Sequence, residues 1–182
     1  YSDKKTLKII NIGRFTDQKD HLTLLNAANI LKKKIKFKLL IIGRGSNKKK
    51  MIHYIQQNNL TKFIKLINFK KNPYPYIKKS DLFILSSRYE GLPNVLLEAL
   101  TLKKFIISSN CPTGPSEILD NGKGGLLFKV GNYNNLVKKI NYFLLNKKEC
   151  EQKLRYANKR LSRFDYNYNL KRYYDLIQKY IN

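Results

Sequence analysis

The sequence predicts an α/β domain: a Rossmann-like, doubly wound parallel sheet of about six strands with helices on both faces. Three observations carry this expectation. Short apolar runs alternate with stretches of helical spacing along the chain. The runs are continuously hydrophobic, as strands covered on both faces must be. Several also end on turn residues, with Gly13, Gly43, Asn68, Arg88–Gly91 and Asn110 at the expected strand C-termini. In such sheets ligands sit beyond those ends.

The elements follow in order. Leu7–Ile12 reads as a strand closed by Gly13, and Leu22–Leu31 as a helix with Leu24, Leu25, Ala28 and Leu31 on one face. Lys38–Ile42 is an apolar strand closed by Gly43, Lys48–Asn58 a helix, Ile64–Ile67 a strand and Tyr74–Lys79 a short helix. Leu82–Leu85 is a strand followed by a turn at Gly91. Pro93 is expected to open the next helix at its first position, where a missing N–H costs nothing. That helix runs through Val95–Leu102, and Phe105–Ser109 is the next strand. Ser116–Leu119 is a short helix after Pro112–Pro115, and Leu126–Phe128 is the last strand. Asn134–Leu145, Lys148–Leu161 and Tyr166–Ile181 are helices, and the final ones are expected to pack on a neighbouring domain. No internal repeat or low-complexity linker interrupts the order.

With 182 residues the chain suits one domain, and 42% apolar with 12% aromatic residues excludes a disordered tail. No apolar run reaches a membrane span of about 18 residues, and Tyr1–Lys8 is too polar for a signal peptide. The chain lacks an initiator Met and is expected to be part of something longer. Cys111 and Cys150 fit no metal spacing, so reduced thiols and a cytoplasmic location are expected. The formal charge of +25 fits three readings: compositional bias, an anionic membrane surface or phosphorylated ligand, and nucleic acid. Lys outnumbers Arg 30 to 7, whereas nucleic-acid readers favour the planar guanidinium, so no nucleic acid is expected.

The chemistry concentrates in three stretches. Gly13-Arg14-Phe15-Thr16-Asp17-Gln18-Lys19 places two cations after the first strand. Arg offers bidentate hydrogen bonds to phosphate and Lys a point charge, although both also suit an ordinary basic surface. Gly43-Arg44-Gly45 lacks the third Gly of a dinucleotide fingerprint and reads as a tight turn. Glu90 and Glu98 flank a strand–turn–helix, where unpaired N–H groups and the helix dipole make an anion site. Glu98 stands about 7.5 Å up the helix from Pro93, at about 1.5 Å per residue. Two acids beside an anion site suit a ligand with hydroxyls next to its phosphates, such as a nucleotide sugar. They equally suit a helix-surface acid and a dipole-favourable first-turn acid. His21 and His53 have no acid placed in sequence to make either a plausible base, and both read as surface residues. No triad, metal-ligand cluster or Walker loop is present.

Taken together these motifs resemble the C-terminal, donor-binding domain of a GT-B-fold glycosyltransferase of the family 4 (group 1) type, across nearly the whole chain. The resemblance rests on Gly-Arg-Phe-(x)3-Lys at 13–19 and Gly-x-Gly at 43–45. It rests further on Ser-x-Tyr-Glu-Gly-Leu-Pro-Asn-Val-Leu-Leu-Glu-Ala at 87–99, Cys-Pro-Thr-Gly-Pro-Ser-Glu-Ile-Leu at 111–119 and Gly-Gly-Leu-Leu-Phe at 124–128. By resemblance, Arg14 and Lys19, beside Gly13, bind the donor diphosphate and offset leaving-group charge. Glu90 contacts the donor sugar. Gly91, Leu92, Pro93, Asn94 and Val95 present backbone to sugar and phosphates. Glu98 holds the ribose. Gly45, Phe69 and Lys70 border the nucleobase. Two departures stand out: Thr101-Leu102-Lys103-Lys104 replaces a small-residue turn, and Asp20 stands where Gly is common, as a helix N-cap would explain.

The resemblance implies a retaining enzyme without metal or cofactor, whose nucleotide sugar is a co-substrate. The expected donor is a UDP-sugar, because the 112–119 stretch resembles members that use UDP-N-acetylhexosamines. It also implies a polysaccharide, lipopolysaccharide or lipid-linked acceptor at the cytoplasmic membrane face. The acceptor would be held by an N-terminal domain outside residues 1–182, with peripheral contact to anionic membrane. Two other classes stay open: a non-catalytic nucleotide-binding module, and a basic domain for membrane or nucleic acid.

Overall fold

The computed structural model describes residues 6–181. Six parallel strands form one sheet: β1 (Leu7–Ile12), β2 (Phe37–Ile42), β3 (Ile64–Ile67), β4 (Leu82–Leu85), β5 (Phe105–Ser109) and β6 (Leu126–Phe128). Their order is β3-β2-β1-β4-β5-β6. The chain therefore winds outward from β1 in one direction and from β4 in the other, and the switch falls between those two strands. In sheets of this kind ligands bind beyond the strand C-termini at such a switch point.

Eight α-helices connect or follow the strands: α1 (His21–Leu31), α2 (Lys48–Gln57), α3 (Tyr74–Lys78), α4 (Asn94–Thr101), α5 (Pro115–Ile118), α6 (Tyr133–Leu145), α7 (Lys147–Lys159) and α8 (Tyr166–Ile181). Leu24, Leu25, Ala28 and Leu31 of α1 join Leu136 and Ile140 of α6 and Met51 and Ile55 of α2 on one side of the sheet. Ile77, Leu96, Ala99, Leu100, Ile118 and Ala157 close the other side over Ile10, Ile42, Phe83 and Ile106. Odd and even strand positions divide cleanly between these two cores, as the period of two requires.

Asp20 is the N-cap of α1. Its backbone is left-handed (φ 42°, ψ 50°) and its carboxylate accepts from the Thr23 N–H and hydroxyl, at 3.3 and 2.8 Å. Few non-Gly residues tolerate that conformation, and Asp adds the cap bond. Lys103 (φ 56°) supplies the left-handed residue that ends α4, where the family resemblance leads one to expect small residues.

The final helices, expected to pack on a neighbouring domain, differ in how far this body already buries them. No α8 residue is buried, and Tyr173, Tyr174, Leu176, Ile177 and Tyr180 are all exposed. By contrast, α7 buries Cys150 and Ala157 against the body. Among the described residues, no helix is long and apolar enough to cross a membrane.

Candidate functional site

Every predicted site residue lies at the C-terminal end of the sheet. The loop after β1 carries Gly13, Arg14 and Lys19, and a single 3-10 turn over Asp17–Lys19 swings Lys19 back toward β4. That turn was not legible in the sequence, because three residues leave no periodicity. Lys19 Nζ meets Glu90 Oε1 at 2.5 Å, and both side chains are largely buried (13% and 7% exposed). Arg14 stays exposed, and its guanidinium donates to Gln18 Oε1 at 3.2 Å.

Glu90 is gripped from three directions. Beyond Lys19, the Ser87 hydroxyl donates to Oε1 at 2.5 Å, and the Thr113 hydroxyl donates to the Glu90 carbonyl. Ser109, at the end of β5, donates to the Ser87 carbonyl at 2.6 Å. Gln18 ties the two loops through its amide to the Tyr89 carbonyl (3.1 Å), and its own carbonyl accepts from the Arg88 N–H (2.8 Å). Ser86 adds a bond to the Lys19 carbonyl. Sequence reasoning missed this supporting set of Gln18, Ser86, Ser87, Ser109 and Thr113. The hydroxyl pairs ending β4 and β5, buried where apolar residues would pack more cheaply, were the available signal.

The 111–115 segment passes directly beneath the Glu90 turn. Gly114 sits at φ 80°, and a Cβ there would meet the Gly91 carbonyl oxygen at 1.9 Å. Gly91 itself faces open space on its Cβ side. Gly91, Leu92 and Asn94 are exposed, so this rim is an open shelf.

Pro93 corrects one expectation. It is not the first helical residue but the N-cap, extended at φ −75° and ψ 94°, and α4 begins at Asn94. A proline φ suits both positions, and the N-cap is ordinarily extended. No side chain caps α4, which leaves its first-turn N–H groups to an anion on the shelf.

Glu98 lies one turn further along α4, half-buried, and its carboxylate makes no hydrogen bond or ion pair to a described residue. Burial raises its carboxyl pKa above the ordinary value. A half-buried acid with open acceptors is suited to hydroxyl donors. At the far end, the Arg44 guanidinium stacks on the exposed ring of Phe69 (5.3 Å to the centroid), beside Gly45. Lys70 is exposed next to it, and Lys48 donates to Asn68 Oδ1 at 2.7 Å. Phe69 is thus an exposed aromatic face on the loop after β3, two strands from β1.

His21 overturns its surface reading. It is 3% exposed, its ring packs edge-on against Phe15 at 5.4 Å, and neither ring nitrogen has a described partner. Burial first, and the neighbouring Lys19 charge second, lower its pKa to about 4. His53 is exposed, as expected.

At the switch point the loop after β1 brings two cations, the loop after β4 a largely buried acid and α4 an uncapped start, which together define an α/β domain with a charged site at its strand C-termini. The family profile described as glycosyl transferases group 1 matches residues 2–160, and the chain belongs to that family. It is 31% identical over 157 residues to the N-acetylgalactosamine-N,N'-diacetylbacillosaminyl-diphospho-undecaprenol 4-alpha-N-acetylgalactosaminyltransferase of Campylobacter jejuni, covering 86% of this chain and 42% of that protein. It is 41% identical over 117 residues to an uncharacterized glycosyltransferase of Methanocaldococcus jannaschii, covering 64% of this chain and 29% of that protein. Among solved structures, Anabaena HepE in complex with UDP and glucose superposes with a TM-score of 0.85 at 18% identity, over 96% of this chain and 48% of that one. The chain spans less than half the length of each of these proteins.

Proposed function

We propose that this chain is the donor-binding half of a retaining glycosyltransferase. It takes a nucleotide diphosphate sugar, a UDP-linked hexose or N-acetylhexosamine, and delivers the sugar to a glycan or lipid-linked acceptor. That acceptor is held by an N-terminal domain outside residues 1–182. The observation that carries the reading is the meeting of Lys19 and Glu90 across the β1/β4 switch, with α4 uncapped beside them. A cation and an acid buried in one crevice suit a ligand that is anionic at one point and hydroxylated at the next.

In this reading Arg14 and Lys19 take the diphosphate, together with the Gly13 backbone and the N–H groups of the Gly91–Val95 shelf. Glu90 accepts from donor-sugar hydroxyls, and Glu98, further up α4, accepts from the ribose diol. The base rests by Gly45, Phe69 and Lys70. As the glycosidic bond breaks, charge grows on the β-phosphate, and in this reading Arg14, Lys19 and the α4 start offset it. Loss of one such donor costs about 10²–10³ in rate. The undecaprenol-linked substrate in the name of the Campylobacter relative, and the UDP in the HepE complex, support the acceptor and donor classes.

The test is a titration of UDP, GDP and ADP against the chain at low and high salt. UDP binding that outlasts the added salt and exceeds that of GDP and ADP supports the reading. Equal, salt-labile binding of all three overturns it.

A further inference from the structure

Of the charged groups after β1 and β4, Arg14 is held the least. Lys19 and Glu90 grip one another, whereas the exposed Arg14 guanidinium bonds a single side chain among the described residues, Gln18 Oε1 at 3.2 Å. A long cationic side chain left free must give up its rotamer freedom when it meets a ligand, and that weakens binding.

Gln18 is fixed in turn to the opposite loop. Its Nε2 donates to the Tyr89 carbonyl at 3.1 Å, and its backbone carbonyl accepts from the Arg88 N–H at 2.8 Å. It sits half-buried in the 3-10 turn, and the Ser86 hydroxyl holds the carbonyl of the next residue, Lys19, at 2.9 Å. The sense of the amide follows from its partners. A guanidinium only donates and a carbonyl only accepts, so the amide oxygen faces Arg14 and the nitrogen faces Tyr89. Tyr89 directly precedes Glu90, so Arg14 is tied through Gln18 to the turn that carries the acid.

The neutrality of this partner matters. Asp17, the acid nearest Arg14 in sequence, is engaged elsewhere: its Oδ1 accepts from Asn47 Nδ2 at 2.8 Å, and it makes no ion pair among the described residues. A carboxylate on Arg14 would hold it more tightly but would cancel the charge that a phosphate needs. An amide orients the guanidinium and leaves both its charge and its remaining N–H donors open. We propose, resting on the donor reading above, that Gln18 is a positioning residue for the donor diphosphate, which suspends Arg14 from the β4 loop and orders it before the nucleotide arrives.

The test is an NMR titration of UDP and of uridine against wild type, Gln18→Met, Gln18→Glu, Arg14→Met and the Gln18→Met/Arg14→Met double variant, with a melting curve for each. Gln18→Met should weaken UDP binding about tenfold, as for one charge-assisted hydrogen bond, and leave uridine within about twofold. Uridine has no phosphate, so the ratio of the two affinities separates a role at the diphosphate from general loosening of the fold. Gln18→Glu, nearly isosteric, should lose at least as much, because its carboxylate pairs with the guanidinium and cancels its charge. In the Arg14→Met background, Gln18→Met should change UDP affinity by less than about twofold, since no guanidinium is left to hold. Equal losses of UDP and uridine, a loss that persists in full without Arg14, or wild-type UDP affinity in Gln18→Met or Gln18→Glu would each overturn the proposal while the wild-type preference for UDP stands. A wild type that binds UDP no better than uridine would instead overturn the donor reading, and the role of Gln18 with it.

Discussion

Breaking the Lys19–Glu90 pair should cost more stability than an ordinary ion pair, and the two substitutions should be strongly coupled. At 2.5 Å the gross attraction is roughly 6–7 kcal/mol at an effective dielectric of about 20. Desolvation takes back much of this, but removing one partner strands the other, and buried pairs then lose about 3–5 kcal/mol. Glu90→Gln leaves the Lys19 ammonium without its counter-charge, so about 3 kcal/mol is expected. Lys19→Met leaves Glu90 with the Ser87 hydroxyl still donating, so about 2 kcal/mol is expected. For a chain of this size these are drops of roughly 6–12 °C and 4–8 °C in Tm. The double variant removes both charges and should be no worse than the poorer single variant, a coupling of about 2 kcal/mol in urea unfolding. Nucleotide binding supplies the second readout. Lys19→Met should weaken UDP binding, while Glu90→Gln, which frees Lys19 for phosphate, should not. Additivity within about 0.5 kcal/mol, or equal loss of UDP affinity in both single variants, would refute the pairing as described.

His21 gives a pH signature. Its folded pKa of about 4 lies below its unfolded value of about 6.5, so the unfolded chain binds more protons and stability falls with acidification. The loss begins as pH drops through about 6.5, reaches about 2 kcal/mol by pH 5 and levels off below pH 4. Urea unfolding of wild type and His21→Leu should show this slope only in the former. Glu98→Gln should weaken UDP binding by about 1.5–3 kcal/mol and leave 2′-deoxy-UDP much less affected, as calorimetry would show. An equal effect on both ligands would remove the ribose role. Gly114→Ala combines a left-handed φ with a Cβ against the Gly91 carbonyl, so a melting-curve loss of at least about 1–3 kcal/mol is expected. A neutral Gly114→Ala would mean the two loops are not packed as described.

Most of the fold was legible because each strand is an apolar run closed by a turn residue. Five strands begin and end where the sequence placed them, and β2 starts one residue earlier, at Phe37. The candidate site residues read from the sequence all lie on loops and in α4 at one end of the sheet. The Lys19–Glu90 contact was not legible, since residues 71 positions apart meet only after the strand order is known. His21 was misread although the signal was present. It sits three and four residues before Leu24 and Leu25, on the apolar stripe of α1.

A crystal structure of the chain with UDP tests the central claim most directly. The account predicts pyrophosphate oxygens within about 3 Å of Lys19 Nζ and the Arg14 guanidinium, at hydrogen-bonding distance. It also predicts the ribose diol on Glu98 and the base by Phe69. A nucleotide bound in the reverse sense, or seated away from the β1/β4 crevice, would contradict it.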